Sequence, residues 1–263
     1  MKKNFFWAAL VGACLVAAAP ARAIDPWDQA TEDDNGAFTD NGLTHGTAQQ
    51  HDLDAEGTIP VADQDWYTLS SAGRSSYEVL VDGTTGDMDL ASGDVVRIAS
   101  GGTTVLQNSV GLAGFSVVLR WRNTSADAET NFIRVSGATC GTACTLSDQY
   151  RIRFYESTYS IPRFNNSGGQ ITVLNVASMV PFSCTADFHF YNNAGTYLGT
   201  QSNGFTAREL FVLNTSTLGF AAGASGSIIV AHTCGYGGLA GKAVALEPST
   251  GFTFDTALIA RII

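Results

Sequence analysis

Acidic side chains crowd the stretch from residue 25 to residue 41: Asp25, Asp28, Glu32, Asp33, Asp34, Asn35, Asp40 and Asn41, around glycines at 36 and 42. Calcium takes roughly six to eight oxygen ligands from a flexible loop, and weak sites suffice where the ion is plentiful. Asp28, Glu32, Asp33, Asp34 and Asp40 are therefore the candidate calcium ligands. The run Asp33-Asp34-Asn35-Gly36 lacks the alternating ligands and closing glutamate of an EF-hand, which removes that motif. The competing reading is a solvated acidic segment without an ion. Asp63, Asp65, Asp87 and Asp89 could extend a site, or cap strand ends and turns through side-chain-to-backbone hydrogen bonds.

Arginine supplies the second pattern. Side chains alternate at period two along a strand, so Arg120 and Arg122 share one face of residues 116–122. Arg151 and Arg153 share one face of residues 150–155 in the same way. Were these strands neighbours, with Arg134 beside them, they would form a ligand surface for an acidic glycan, because the guanidinium fork suits carboxylates and sulfates. The competing reading is cross-strand pairing with Asp and Glu, or contact with a second domain. Flat rings stack on sugar faces, and Trp27, Trp66, Trp121, Tyr155 and Tyr159 are the aromatic candidates. Trp66 and Trp121 fall on the apolar phase of their strands and are expected in the core.

Catalytic groupings are sparse. His45 and His51 lie near Asp52 and Asp54, but neither a zincin helix nor a G-x-S-x-G elbow accompanies them. His189 and His232 lie on or just after apolar strands and read as structural or surface residues. No catalytic residue is assigned. A hydrolase built from scattered residues remains as an alternative, and it requires His45 or His51 in a cleft beside carboxylates.

Compartment and size constrain these sites. Residues 1–23 read as a secretory signal peptide, with Lys2 and Lys3 as the basic start, an apolar run to Ala19 and the Ala21-Arg22-Ala23 cleavage site. A lipid anchor at Cys14 is the alternative. Four cysteines follow the signal, and in an exported chain they imply two disulfides. Cys140–Cys144 with Cys184–Cys234 is the most economical pairing. The 263 residues carry 14 Lys+Arg against 24 Asp+Glu, a net charge of −10, which argues against a nucleic-acid partner. No run after the signal is long enough to span a membrane as a helix.

The elements that must position the candidates are strands. Alternation recurs at 171–176, 188–191, 210–213, 227–231, 243–246 and 252–254. Between them stand turn signals such as Asp82-Gly83, Ser92-Gly93, Asn193-Ala194-Gly195, Asn203-Gly204 and Ser225-Gly226. Many short strands at this spacing predict an all-β chain of two antiparallel sandwich domains, at 24–156 and 157–263.

The order Asp63-Gln64-Asp65-Trp66-Tyr67, then Gly73, the strand 77–81, Gly86-Asp87-Met88-Asp89-Leu90 and Tyr150-Arg151-Ile152-Arg153-Phe154 resembles the bacterial pre-peptidase C-terminal (PPC) domain. That resemblance implies a jelly-roll-like, non-catalytic β-sandwich module that binds, targets or solubilises, in some relatives with calcium-stiffened loops. The second half resembles immunoglobulin-like C-terminal domains of exported bacterial proteins, on Gly238-Leu239-Ala240-Gly241-Lys242-Ala243 and Gly251-Phe252-Thr253-Phe254-Asp255-Thr256. The function expected is that of an exported non-enzymatic binding or structural protein, periplasmic, surface-bound or released. Its partner would be an extracellular polymer, glycan or protein surface. A self-associating filament or surface-layer subunit is a second expectation, with an apolar run at 257–263 or the N-terminal arm pairing onto a neighbour's sheet edge.

Overall fold

A computed structural model describes residues 28–29, 32–34, 36–37, 39–53, 64–83, 89–111, 115–136 and 148–261. The signal segment, Asp25, Trp27, Asn35, Asp54, Asp63, Asp87 and the Cys140–Cys144 pairing lie outside these residues. The first strands are β1 (Asp28–Gln29), β2 (Glu32–Asp33), β3 (Ala48–Asp52), β4 (Asp65–Ser71) and β5 (Ser75–Gly83). They are followed by β6 (Val95–Ala99), β7 (Val105–Asn108), β8 (Val117–Asn123), β9 (Glu129–Val135) and β10 (Gln149–Glu156). One sheet runs β3-β10-β5-β8 and the other β4-β9-β6-β7, while β1 and β2 form a separate two-stranded ribbon.

The second half contains β11 (Tyr159–Asn165), β12 (Ile171–Ser178), β13 (Cys184–Asn192), β14 (Tyr197–Phe205) and β15 (Leu210–Asn214). It ends with β16 (Ser225–His232), β17 (Leu239–Glu247), β18 (Phe252–Ala257) and β19 (Ile259–Ala260). Its sheets run β14-β13-β16-β11-β19 and β15-β12-β17-β18. The chain is thus an all-β fold of antiparallel sheets packed as sandwiches. The one helical piece among the described residues is the 3-10 turn Thr215–Thr217.

Period-two alternation decides what is buried. Val117, Leu119 and Trp121 face inward along β8, and Tyr150, Ile152 and Phe154 do so along β10. They meet Tyr67, Leu69, Ile133 and Val135 of the facing sheet in one core. In the second sandwich Ile161, Phe188, Phe190 and Val230 pack on Leu174, Val176, Leu239 and Ala243. A third cluster, Trp66, Val96, Ile98 and Phe132, lies on the opposite face of β4, β6 and β9, with Ala37 packed against it. The segment from 34 to 42 is tied to β4, with Trp66 N–H donating to Asp34 O at 2.8 Å and Thr68 N–H donating to Asn41 O at 2.8 Å.

Two of the turn signals are corrected. Asn203-Gly204 lies inside β14 and Ser225-Gly226 opens β16, whereas Asp82-Gly83 closes β5. The hairpin of β13 and β14 turns at Asn193-Ala194-Gly195, where Gly195 has φ 77°, and pairing then continues through Asn203 and Gly204. Gly226 serves a close approach instead of a turn: a Cβ there would meet Tyr191 O at 1.9 Å.

The two sandwiches adjoin without a slack connection. Ser157 and Thr158 are buried. Ser157 N–H donates to Ser76 O at 2.8 Å, and Ser76 N–H donates to Thr158 Oγ1 at 2.9 Å. Across this seam Arg122 Nη1 pairs with Asp187 Oδ2 at 2.6 Å.

Candidate functional site

A cleft of about 320 Å³ opens where the β4–β5 hairpin, the end of β10 and the residues before β3 meet. Its apolar residues are Leu43, Ala72 and Phe154, and its polar ones are Thr44, His45, Ser70, Tyr77 and Glu156. His45 is placed by a parallel bridge to Phe154, which brings its ring beside the last residue of β10. Glu156 is on the inward phase of β10 and only 5% exposed. A carboxylate so placed needs a cationic partner, and Arg261 supplies it: Nε at 3.0 Å and Nη2 at 2.8 Å, both donating to Oε1. Arg261 Nη2 also donates to Ser75 Oγ.

Tyr77 stacks between Trp121, at 5.4 Å between centroids, and Phe154, at 5.7 Å. Its hydroxyl accepts a hydrogen bond from Ala72 N–H at 2.6 Å. Burial first, and the Glu156 charge second, hold this phenol above its ordinary pKa, so it stays protonated.

The His45 tautomer decides what the cleft can do. Glu156 N–H donates to His45 Nδ1 at 2.9 Å, so the neutral ring carries its proton on Nε2. In a Ser-His-acid triad the acid receives Nδ1–H and Nε2 offers the lone pair that takes the serine proton. Here that polarity is reversed. His45 offers a donor, while Glu156 Oε2 takes no hydrogen bond from the described residues. The ring of His45 is also edge-on to Tyr155 at 5.9 Å and to Tyr236 at 5.5 Å. Those two tyrosines stack at 4.7 Å, with Tyr236 46% exposed.

The arginines anticipated from the alternation have acidic partners. β5 lies between β8 and β10, and it carries Glu78 and Asp82 into their midst. Arg120 Nε pairs with Glu78 Oε2 at 2.5 Å and its guanidinium lies over Phe182 of the second sandwich at 4.8 Å. Arg151 pairs with Asp82 at 3.5 Å, and Arg153 pairs with the same carboxylate. Arg122 crosses the seam to Asp187, and Arg134 lies over the Trp66 ring at 5.7 Å. Trp121 and Trp66 are buried, Tyr159 stacks on His232, and Tyr155 meets the His45 ring edge-on.

Of the candidate calcium ligands, Asp28, Glu32 and Asp33 are described through their backbone in β1 and β2, Asp34 is buried and Asp40 is exposed. Asn41 Nδ2 donates to Asp34 Oδ2 at 3.4 Å, and His51 Nδ1 lies 4.0 Å from the same oxygen. Among the described residues no group of three or more His, Cys, Asp or Glu side chains is placed to hold a metal. Asp65 is buried and accepts a hydrogen bond from Tyr150 OH.

Cys184 and Cys234 form a disulfide linking the start of β13 to the residues after β16, its neighbour in the sheet. Glu156, Arg261, Tyr77 and Tyr236 were not among the residues singled out by sequence. One signal pointed to Tyr236: it stands between Gly235 and Gly237, both at positive φ (83° and 73°), a backbone that displays a ring on a turn. No helix among the described residues is long and apolar enough to cross a membrane.

No family model and no curated protein matches the chain. Among solved structures it is similar to a β-glucuronidase of Bacteroides uniformis, with 12% identity over 82% of this chain and 33% of that one, at a TM-score of 0.21. It is also similar to a β-glucuronidase from glycoside hydrolase family 2, with 10% identity over 94% of this chain and 29% of that one, at a TM-score of 0.20. The chain spans a third or less of the length of these enzymes, and likeness at this level carries no argument about its activity.

Proposed function

We propose that the protein is an exported, non-enzymatic binding protein that holds a small hydroxyl-bearing ligand in the His45–Glu156 cleft. One observation carries the reading: Glu156 N–H occupies His45 Nδ1, so the neutral ring keeps its N–H on Nε2, and Glu156, whose carboxylate Arg261 neutralises, lines the same cleft. A donor and an acceptor lining one cleft suit a hydroxyl group, which needs one of each. Apolar walls would contribute contact area, the Tyr155–Tyr236 pair packs against the His45 ring, and the volume is at the small end of ligand pockets. The signal-like segment and the PPC-like residues support export and a binding role.

The test is a glycan array and calorimetry on protein lacking residues 1–23, with His45→Ala and Tyr236→Ala as site variants. A ligand lost in both variants, and recovered unchanged after incubation, is the expected result. A competing hydrolase reading rests on Ser70, His45 and Glu156 lining one cleft. Turnover of an ester or glycoside that disappears with His45→Ala would favour that reading and overturn ours.

A further inference from the structure

The second sandwich has an opening of its own. β18 is the last strand of one sheet, and among the described residues β11 is covered on its outer side only by the two residues of β19. Between them lies a separate cavity of about 140 Å³, lined by Arg163, Gln170, Ala245, Glu247, Phe252 and Phe254. We propose that this cavity is a second ligand site, and that it takes one neutral pyranose ring of a glycan chain.

The argument begins with the rings. Phe252 and Phe254 are two apart on β18, so both side chains face the same way. Phe252 is 63% exposed, a large apolar surface that a folded chain gains nothing by leaving in water. The C–H face of a pyranose suits such a ring, because its slightly positive hydrogens meet the negative face of the aromatic quadrupole.

Polar groups beside the rings are already held in place. The Arg163 guanidinium lies over Phe254 at 4.7 Å and makes no ion pair among the described residues. Gln170 Nε2 donates to Glu247 Oε2 at 3.3 Å, Asn165 Nδ2 donates to Gln170 Oε1, and Ser249 Oγ donates to Glu247 Oε1 at 3.1 Å. Donors and acceptors fixed in this way lose little freedom on binding, which favours a ligand with many hydroxyls.

Charge and shape select among occupants. Arg163 and Glu247 line the same cavity, so an anionic sugar would meet a carboxylate and a cation would meet a guanidinium. A neutral ring meets neither penalty. The volume corresponds to about five waters at roughly 30 Å³ each, the scale of a single ring. An added peptide strand is disfavoured, since Pro162 removes an N–H from β11 and Asp255, paired with Lys242, sits on β18.

The site is independent of the His45–Glu156 cleft, and the experiment separates them. Saturation-transfer NMR with cellotetraose, xylotetraose, mannotetraose and a galacturonate trimer would be run on wild type, Phe252→Ala, Arg163→Gln and His45→Ala. Phe252 and Arg163 are on the surface, so their variants should fold. The expected result is transfer to the ring protons of at least one neutral oligosaccharide. Its affinity should drop five-fold or more in Phe252→Ala and Arg163→Gln and be unchanged in His45→Ala. No transfer to any neutral oligosaccharide, or transfer that persists in both variants, overturns the proposal. So does preference for the galacturonate trimer, or dependence on His45 alone, which would locate the binding in the first cleft.

Discussion

Arg74 holds its guanidinium carbon 3.9 Å from the centre of the Tyr197 ring, and it does so from a left-handed backbone at φ 52°. The residue occupies the turn between β4 and β5, in the first sandwich, while Tyr197 opens β14 in the second. Its Nη1 also donates to Tyr191 OH at 3.4 Å. A non-glycine residue at positive φ costs on the order of 1 kcal/mol, so the cation–π contact offsets local strain.

Two substitutions separate strain from contact. Arg74→Ala keeps the strain and loses the contact, whereas Arg74→Gly loses both. Arg74→Gly should therefore be more stable than Arg74→Ala by about 1 kcal/mol. Urea unfolding of the two variants measures the difference, and equal midpoints would mean the turn carries no strain.

The Arg122–Asp187 pair is another tie across the seam. Asp187 is 7% exposed and also accepts a hydrogen bond from Ser202 Oγ at 2.6 Å. Arg122→Ala leaves that carboxylate without its cation, at a cost of about 2 kcal/mol. Adding Asp187→Asn should recover part of the loss, because it removes the stranded charge. A double-mutant cycle followed by thermal unfolding reads the coupling, and a coupling near zero would make the pair a bystander.

Local pattern in the sequence foretold the strands, the inward phase of Val117, Leu119 and Trp121, and the outward phase of Arg120 and Arg122. It could not foretell that Arg122 meets Asp187, 65 positions along the chain, because periodicity specifies a face and not what covers it. Gly204 and Gly226 were misread for a related reason. Gly226 marks a close approach of two backbones, and Gly204 is an ordinary strand position with open space around it; only the sheet order distinguishes these from a turn. At the cleft, His45 drew notice through nearby aspartates, yet its partner is the backbone of Glu156, and Glu156 is held by Arg261, 105 positions away. Such a site follows from strand pairing alone.

Removing the Cys184–Cys234 bond tests how far the second sandwich depends on it. The bond closes a loop of 50 positions, and loop-closure entropy alone gives a stabilisation of about 4 kcal/mol. Cys184→Ser with Cys234→Ser should lower the urea midpoint accordingly. The first sandwich should be less affected, because its core contains neither cysteine. Tryptophan fluorescence from Trp66 and Trp121, both in the first sandwich, compared with far-UV circular dichroism of the whole chain, would reveal the offset. Coincident transitions would mean that the two sandwiches unfold as one.

Acid should weaken the same region through two histidines. His189 and His232 each have a pKa lowered from 6.5 to about 4, mainly by burial, with Arg122 adding to the effect at both. His232 Nδ1 accepts from Cys234 N–H at 3.1 Å and Nε2 donates to Ser157 O at 2.6 Å. Protonation of the ring would set a second N–H against that of Cys234. Because the folded pKa is below the unfolded one, the unfolded chain takes up protons first as pH falls. Stability is therefore full above about pH 6.5 and is lost progressively down to pH 4, by about 3 kcal/mol for each histidine. Urea midpoints between pH 7 and pH 4 should trace that decline. His232→Gln should make it shallower, since glutamine has no proton to gain. A stability that holds level across this window would mean the buried rings take up their protons without opening the seam between the sandwiches.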